Sequence, residues 1–235
     1  MTRVRRALIV LALIVALAMG VMGWLGYFGG ALFTDIPARS TSDRAPFAVV
    51  LLSGDIGFNT GMSPDIAERL AADGIPVVGV NTLTYLRKTR TPAEITSLIA
   101  RAEQRALRLG HTDRVVLIGV SFGADMLHVG LVGLPASLRD KVTRVALIVP
   151  ENTVQFRASP GEIFDYWTPT SDALPTARRL TWAPVLCIHG IEEADSLCPL
   201  LKQPNARIIA LPGGHPLHRD ADALYATVSR FVFAH

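Results

Sequence analysis

Cysteine, histidine and charged residues are all scarce in this 235-residue sequence. Two cysteines whose spacing matches no zinc finger, and only six histidines, give no reason to expect a metal site. Charged residues make up 18% of the chain, the net charge is +3, and no basic stripe alternates with aromatic residues, which argues against nucleic-acid binding. Internal repeats and low-complexity tracts are lacking too. Half of the residues are apolar, which is enough for a large core and unlike a mainly disordered chain.

The longest apolar run lies at the N-terminus. Three basic residues precede it: Arg3, Arg5 and Arg6. Residues 7–33 carry no charge and exceed the roughly 20 residues that cross a bilayer, and the basic flank favours an orientation with the rest of the chain outside the cytoplasm. Ala16-Leu17-Ala18 is an alternative signal-peptidase site, but the apolar run continues beyond it. We therefore predict an uncleaved membrane anchor over residues 1–33 in preference to a cleaved signal.

Strand and helix patterns alternate in the remainder of the chain. A polar stretch with two prolines, 34–46, is predicted to be a linker, and 47–235 the domain. Near-continuous apolar strands separated by amphipathic helices predict an α/β fold, with a mostly parallel sheet of about six strands and helices on both faces. The predicted strands are 47–52, 76–80, 114–118, 142–149, 184–188 and 207–211.

Helix-start signals support this alternation. Thr91, Pro92 and Glu94 have the pattern of a capping box with proline in the first turn, and Gly110 marks the end of that helix. Ser63 is predicted to cap an earlier helix that extends to about residue 73. Residues 150–183 lack a clear strand and are either a packed surface loop or a small cap over a substrate cleft. Their aromatic residues are Phe156, Phe164, Tyr166, Trp167 and Trp182.

The sequence Gly119-Val120-Ser121-Phe122-Gly123 directly follows one of the predicted strands. A strand that passes through Gly-x-Ser-x-Gly into a helix is typical of the nucleophile elbow of α/β-hydrolases. The elbow presents its serine above the sheet, where a histidine base and a substrate carbonyl can reach it. The pattern therefore predicts Ser121 as a nucleophile in a compact α/β-hydrolase fold.

A base and an acid follow in the expected chain order. His215 comes directly after the last strand and is the predicted base, with His218 as a minor alternative, whereas His189 is expected to pack at a strand end. The acid is expected in the loop after strand 184–188, where Asp195 and Glu193 both qualify. We favour Asp195, because its spacing to a following proline is common at this place in hydrolases, and keep Glu193 as the alternative.

Two further groups are predicted around the nucleophile. The Phe122 N–H is expected to be one oxyanion donor, and the N–H of Asp55 or Ile56, in the glycine-flanked loop after the first strand, the other. Asp125 lies one helical turn beyond Ser121. It is predicted to pair with a cationic group of the substrate or, alternatively, to serve in helix capping or a buried salt bridge.

The two cysteines, Cys187 and Cys198, are 11 residues apart. An exported protein can hold such a pair as a disulfide, and we predict one here, the alternative being two free buried thiols.

Six motifs together resemble the bacterial VirJ/AcvB virulence-protein family over about residues 47–233. They are Ser53-Gly54-Asp55-x-Gly57, Gly79-Val80-Asn81-Thr82-Leu83-x-Tyr85, Arg90-Thr91-Pro92, Ser121-Phe122-Gly123-Ala124-Asp125, Asp195-Ser196-Leu197-Cys198-Pro199 and Leu211-Pro212-Gly213-Gly214-His215. The resemblance implies an exported α/β-hydrolase with Ser121, Asp195 and His215 as its triad, and Tyr85 is a predicted substrate contact. It further implies an aminoacyl-phosphatidylglycerol substrate at the periplasmic face of the inner membrane, a link to type IV secretion proteins, and no cofactor.

Two other functions compete with this interpretation. One is a non-catalytic periplasmic partner of a secretion or envelope complex, which has no need of an intact serine, acid and histidine. The other is a generic carboxylesterase or lipase, which the same triad serves equally well.

Overall fold

The fold joins one apolar helix to a seven-stranded sheet covered by helices. A computed structural model describes residues 3–39, 45–158 and 171–234. The helices are α1 Arg3–Leu25, α2 Met62–Ala72, α3 Thr82–Leu86, α4 Pro92–Leu109, α5 Phe122–Leu131, α6 Ala136–Arg139, α7 Leu174–Ala177 and α8 Ala221–Val232. The strands are β1 Phe33–Ile36, β2 Ala48–Leu52, β3 Val77–Val80, β4 Val115–Val120, β5 Val142–Ile148, β6 Thr153–Val154, β7 Ser171–Asp172, β8 Val185–Gly190 and β9 Ala206–Leu211.

The main sheet contains all six predicted strands, and they are parallel. Its order is β1-β3-β2-β4-β5-β8-β9. Every residue of β2, β3 and β4 is buried, which explains why these strands are continuously apolar and do not alternate. One apolar cluster lies between the sheet and α4 and α5, and a second lies between the opposite face and α2 and α8. The predicted α/β fold with helices on both faces is confirmed.

The first strand was not predicted. Residues Phe33–Ile36, divided in the prediction between anchor and linker, form the antiparallel edge strand β1, with Phe33 opposite Val80 and Ile36 opposite Val77. The strand has four residues and exposes its two central ones, so it lacks a strong apolar pattern. One of these, Asp35, accepts hydrogen bonds from Nε and Nη2 of Arg105 on α4, at 2.6 and 2.7 Å. The segment after α1 therefore joins the edge of the sheet and is not a free linker.

The helix signals were accurate to within a residue or two. In α4, Thr91 Oγ1 accepts from the Glu94 N–H, a Glu94 carboxylate oxygen accepts from the Thr91 N–H, and Gly110 follows the last turn. Helix α2 begins at Met62 with Gly61 as its N-cap, so Ser63 is a buried residue of the first turn and does not cap the helix. The short α3 was missed because its cap is a single asparagine that directly follows β3.

The region 150–183 is described in part. Strands β6 and β7 pair antiparallel as a small ribbon, and Phe156 and Trp182 pack against the main core. Phe164, Tyr166 and Trp167 lie outside the described residues, so the choice between a surface loop and a cap stays a prediction.

Helix α1 is exposed over most of its length and meets the core only at its end, where Leu25 packs against it. It has 23 residues, a mean hydropathy of 2.7 in its most apolar part, and no buried residue. By length and composition it can cross a membrane, either as an anchor or as a signal sequence. The helix ends at Leu25, so the last third of the predicted apolar segment is a glycine-containing turn followed by β1.

Candidate active site

The strand order determines where a site can form. The chain passes from β2 to β3, which lies on one side of β2, and then crosses to β4, which lies on the other side of β2. In open parallel sheets, ligands bind beyond the carboxyl ends of the strands where the order reverses in this way. That place lies between Gly54, after β2, and Ser121, after β4.

Ser121 adopts the strained conformation of a nucleophile elbow. Its φ of 52° and ψ of −126° are unusual for a residue with a side chain, and its N–H donates to the carbonyl of Ile148 on β5. Two glycines make the turn possible. A Cβ on Gly119 would lie 2.6 Å from the Ala124 Cα, and one on Gly123 would lie 2.3 Å from the Ser53 carbonyl oxygen. Helix α5 can start close to the sheet only because both positions lack a side chain.

Three side chains form a continuous hydrogen-bonded chain. Ser121 Oγ lies 2.8 Å from Nε2 of His215, and Nδ1 of the same ring lies 2.5 Å from Oε1 of Glu193. The Glu193 side chain is 8% exposed, and its other oxygen accepts from the Gly190 N–H. A serine, a histidine and an acid in this order have the geometry of a catalytic triad.

The structure corrects the predicted partner of His215, which is Glu193 and not Asp195. The Glu193 N–H donates to the Gly190 carbonyl, so the chain turns directly after β8 and directs this side chain towards the histidine loop. Asp195 is exposed, and its backbone carbonyl accepts from Asn152 on the other side of the loop. The spacing to the following proline was therefore misleading.

The predicted disulfide is present between Cys187 and Cys198, both of which are buried. It ties β8 to the end of the loop that carries Glu193. Disulfides persist mainly in oxidising compartments, so this bridge indicates a location outside the cytoplasm.

The environment of His215 makes it a stronger base than a free imidazole. The hydrogen bond that its Nδ1–H donates to Glu193 raises the pKa of His215, burial opposes this, and the charges of Glu193, Glu151 and Asp55 raise the pKa further. The tautomer that donates from Nδ1 to Glu193 leaves Nε2 free to accept the Ser121 proton.

Backbone N–H groups lie ready for a developing oxyanion. Within the described part of the chain, the N–H groups of Phe122, Asp55 and Ile56 have no hydrogen-bond acceptor. Phe122 is the first residue of α5, and the other two are the central residues of a turn closed by the Gly57 N–H and the Gly54 carbonyl. A Cβ on Gly54 would lie 3.5 Å from the Ser121 Cβ, so this turn lies against the nucleophile.

The other predicted site residues have structural partners. Asp125 is 3% exposed and accepts from the Glu151 N–H at 3.0 Å, and burial raises its pKa well above the usual range. Tyr85 donates its hydroxyl to the Glu94 carbonyl at 3.0 Å and lies under the Arg90 guanidinium. Asp125 therefore has a structural contact, but it is neither the predicted helix cap nor the predicted salt bridge, and the Tyr85 hydroxyl is directed to the start of α4.

The two remaining histidine candidates lie apart from the nucleophile. His189 Nδ1 lies 3.0 Å from the Gly190 carbonyl, and His218 Nε2 lies 4.0 Å from a Glu192 oxygen. His215 is thus the histidine that reaches Ser121.

Glu151 is a neighbour of the site that was not predicted. Partial desolvation of its carboxyl raises its pKa, and Glu193, Asp55 and Asp195 raise it further, whereas His215 lowers it. The signal in the sequence was an acid three residues after the carboxyl end of β5, at the edge of the sheet where ligands bind.

A pocket of about 540 Å³ opens beside Ser121 and His215. Its apolar walls include Ile56, Met62, Leu217 and Leu224, with Arg219 at its edge. The segment Leu217–Arg219 has three consecutive residues with φ near +50°, a costly conformation that forms part of this wall. Among residues 3–39, 45–158 and 171–234, no group of three or more histidine, cysteine or acidic side chains is arranged to hold a metal.

Several solved structures share this architecture. Est1E from Butyrivibrio proteoclasticus aligns with a TM-score of 0.60 and 14% identity, over 85% of this chain and 92% of its own. The esterase Pf2001 of Pyrococcus furiosus aligns with a TM-score of 0.58 and 15% identity, over 85% of this chain and 88% of its own. XC6422 of Xanthomonas campestris, described as an α/β serine hydrolase without a lid, aligns with a TM-score of 0.56 and 15% identity, over 85% of this chain and 87% of its own. The fold is that of the α/β-hydrolases.

The family follows from the sequence itself. A family model for the bacterial virulence protein VirJ matches residues 46–232, so the chain belongs to the VirJ family and the predicted resemblance is confirmed. No curated protein matches the chain significantly.

Proposed function

We propose that this protein is a membrane-anchored serine esterase whose domain faces the periplasm. The observation that carries the proposal is the hydrogen-bonded chain from Ser121 through His215 to Glu193, beside a pocket and next to unpartnered backbone N–H groups. The disulfide and the N-terminal apolar helix support the location.

The proposed reaction proceeds through an acyl-enzyme. Ser121 Oγ attacks the ester carbonyl while its proton passes to His215 Nε2, and the oxyanion binds the N–H groups of Phe122 and of Asp55 or Ile56. His215 then returns the proton to the leaving alcohol. Water, deprotonated by His215, attacks the acyl-serine and releases the acid and the free serine. Glu193 holds the imidazole in the required tautomer and stabilises its charged form.

We further propose that the substrate is the aminoacyl ester of an aminoacyl-phosphatidylglycerol, such as the lysyl or alanyl form. Glu151 and Asp55 place negative charge around His215, which is complementary to the ammonium group of an aminoacyl ester. The apolar walls of the pocket suit the upper part of the acyl chains. Hydrolysis would restore the negative charge of the lipid headgroup.

The test uses the full chain in detergent micelles, since removal of residues before 38 would delete strand β1. The wild type, Ser121→Ala and the matched control Ser137→Ala, an exposed serine on α6, are each given lysyl- and alanyl-phosphatidylglycerol and a short p-nitrophenyl ester. We expect amino-acid release and p-nitrophenol release by the wild type and the control, and neither by Ser121→Ala. Acetylation of the lipid's amino groups should slow its hydrolysis, because the positive charge is removed.

Three other outcomes separate the competing functions. Cleavage of the p-nitrophenyl ester alone would support the proposed esterase function and reject the proposed lipid substrate. Equal cleavage of the acetylated lipid would reject recognition of the ammonium group. Inactivity on every ester, with full complementation of a deletion strain by Ser121→Ala, would favour a non-catalytic role, such as one with secretion-system proteins.

A further inference from the structure

The end of helix α1 is fastened to the domain by side chains. The last carbonyls of a helix have no partner within the helix and need one from elsewhere. Here the carbonyls of Trp24, Leu25 and Gly26 accept hydrogen bonds from three domain side chains. Their donors are Asn59 Nδ2 at 2.6 Å, Asn81 Nδ2 at 3.2 Å and Thr84 Oγ1 at 3.4 Å, respectively. We call the surface formed by Gly57, Asn59, Asn81 and Thr84 the anchor seat.

The end of α1 fits closely against the anchor seat. A Cβ on Gly57 would lie 2.3 Å from the Leu25 carbonyl oxygen, and a Cβ on Gly26 would lie 2.3 Å from Thr84 Oγ1. Both glycines have positive φ, so a side chain at either position would also strain the backbone. A second contact follows directly, because the Asn81 N–H donates to the Leu32 carbonyl just before β1. The chain is therefore held on both sides of the turn that leaves the helix.

The anchor seat adjoins the candidate active site. Gly57 closes the turn that contains Asp55 and Ile56, and Gly54 at the other end of this turn lies against Ser121. Ile56 also lines the pocket. A single four-residue turn thus separates the end of α1 from the nucleophile.

The surface around the exit of α1 has the composition of a membrane interface. Trp24 and Phe28 are 59% and 55% exposed, and Ile56 at the pocket rim is 41% exposed. Arg87 and Lys88 are exposed on the next loop, and the Arg87 guanidinium lies beside Gly29. Aromatic rings concentrate at the level of lipid headgroups, and exposed basic residues attract anionic lipids.

We propose that the anchor seat holds the mouth of the pocket against an anionic bilayer surface, so that the site takes its ester from the membrane. The partner of this surface is the bilayer that α1 crosses, and the contact is a fixed one: the domain does not hang from a flexible tether. The inference rests on the proposed esterase only for the identity of the ester. The position of the domain relative to the membrane can be tested without catalysis.

The first experiment measures that position. The two natural cysteines are joined to each other, so Lys88→Cys or Arg108→Cys adds the sole reactive thiol among the described residues. Both positions are exposed, but Arg108 lies near the end of α4, at the amino edge of the sheet and away from the pocket. In vesicles of phosphatidylglycerol and phosphatidylethanolamine, we expect spin-labelled lipids to quench a fluorophore at 88 and not at 108. Equal quenching at the two positions would overturn the proposal.

The second experiment removes two of the hydrogen bonds between the anchor seat and the end of α1. Asn81→Asp keeps the oxygen that accepts from the Thr84 N–H and caps α3 but loses the donor to Leu25, and Asn59→Ala loses the donor to Trp24. In the double variant we expect quenching at 88 to fall to the level at 108. Hydrolysis of lysyl-phosphatidylglycerol in the vesicles should fall about tenfold, because the effective concentration of lipid at the pocket falls. Hydrolysis of a water-soluble p-nitrophenyl ester should not change.

The outcomes separate this inference from the proposed function. Unchanged quenching in the double variant, or an equal loss on both esters, would overturn the role of the seat even if the wild type is an active esterase. A wild type that cleaves neither ester would reject the proposed function, and the quenching data would still decide whether the pocket faces the bilayer.

Discussion

At the residue scale, the choice of acid depends on one turn of backbone. Glu193 lies three residues after Gly190 and its side chain returns to His215, where a bond of 2.5 Å raises the pKa of the imidazole. Asp195, two residues further on, lies in solvent. Two acids close in sequence thus have different environments, and only one can orient the histidine.

We expect Glu193→Gln to reduce kcat by up to about 10⁴-fold, because the amide no longer holds the required tautomer of His215. The raised pKa of His215 should fall as well. Since the neutral imidazole is the active base, the acidic limb of the kcat/KM profile should move to lower pH. A pH–rate profile of the variant on the p-nitrophenyl ester measures both effects.

Asp195→Asn is the matched control for this change. Its rate and its acidic limb should remain those of the wild type, since Asp195 makes no contact with the imidazole among the described hydrogen bonds. A larger loss in Asp195→Asn than in Glu193→Gln would show that the two acids have been assigned the wrong way round.

At the scale of elements, the acid loop and the histidine loop meet backbone to backbone. Gly190 ends β8, and a Cβ there would lie 2.3 Å from the Gly213 carbonyl oxygen and 2.4 Å from that of Gly214. The Glu192 N–H donates to the Gly213 carbonyl across the same contact. Glu193 and His215 can reach each other because this junction has no side chain on the β8 side.

We expect Gly190→Ala to separate the two loops. Overpacking against rigid carbonyl groups should lower the free energy of unfolding by about 1–3 kcal/mol and should reduce kcat more than it changes KM. Denaturant unfolding and steady-state kinetics measure these two quantities. Gly214→Ala is the control, because a Cβ there has no atom within 4 Å. Equal effects of the two alanines would contradict the close approach at Gly190.

At the scale of the whole molecule, one buried acid interrupts the apolar layer on the α4 face of the sheet. Glu103 is fully buried, both of its carboxylate oxygens lack a hydrogen-bond partner among the described residues, and burial raises its pKa to about 8. At neutral pH the folded protein therefore keeps a proton that the unfolded chain releases. The whole fold is less stable for this reason as the pH rises.

We expect the free energy of unfolding to decline by a few kcal/mol as the pH rises from 4.5, the ordinary pKa of a glutamate, to about 8, the pKa of Glu103 in the folded protein. Above pH 8 the free energy of unfolding should no longer depend on this group. Glu103→Gln should make the decline smaller by this amount and stabilise the protein at pH 8, while the buried Asp125, whose pKa is also raised, still contributes to the decline. Urea unfolding at several pH values, in one detergent, measures the change. The exposed Glu192→Gln should leave the decline intact, and a decline in Glu103→Gln equal to that of the wild type would assign it to other groups.

The sequence by itself determined the parallel strands, the capping box of α4, the elbow at Ser121 and the position of His215. Each of these depends on apolar periodicity or on residues within one turn of the chain. Tertiary structure alone decided that Glu193 and not Asp195 meets His215, that residues after α1 form an edge strand, and that Asn59 and Asn81 hold the end of α1. These features depend on contacts between segments distant in sequence, such as Gly190 with Gly213, and such contacts exist only once the sheet has brought the loops together.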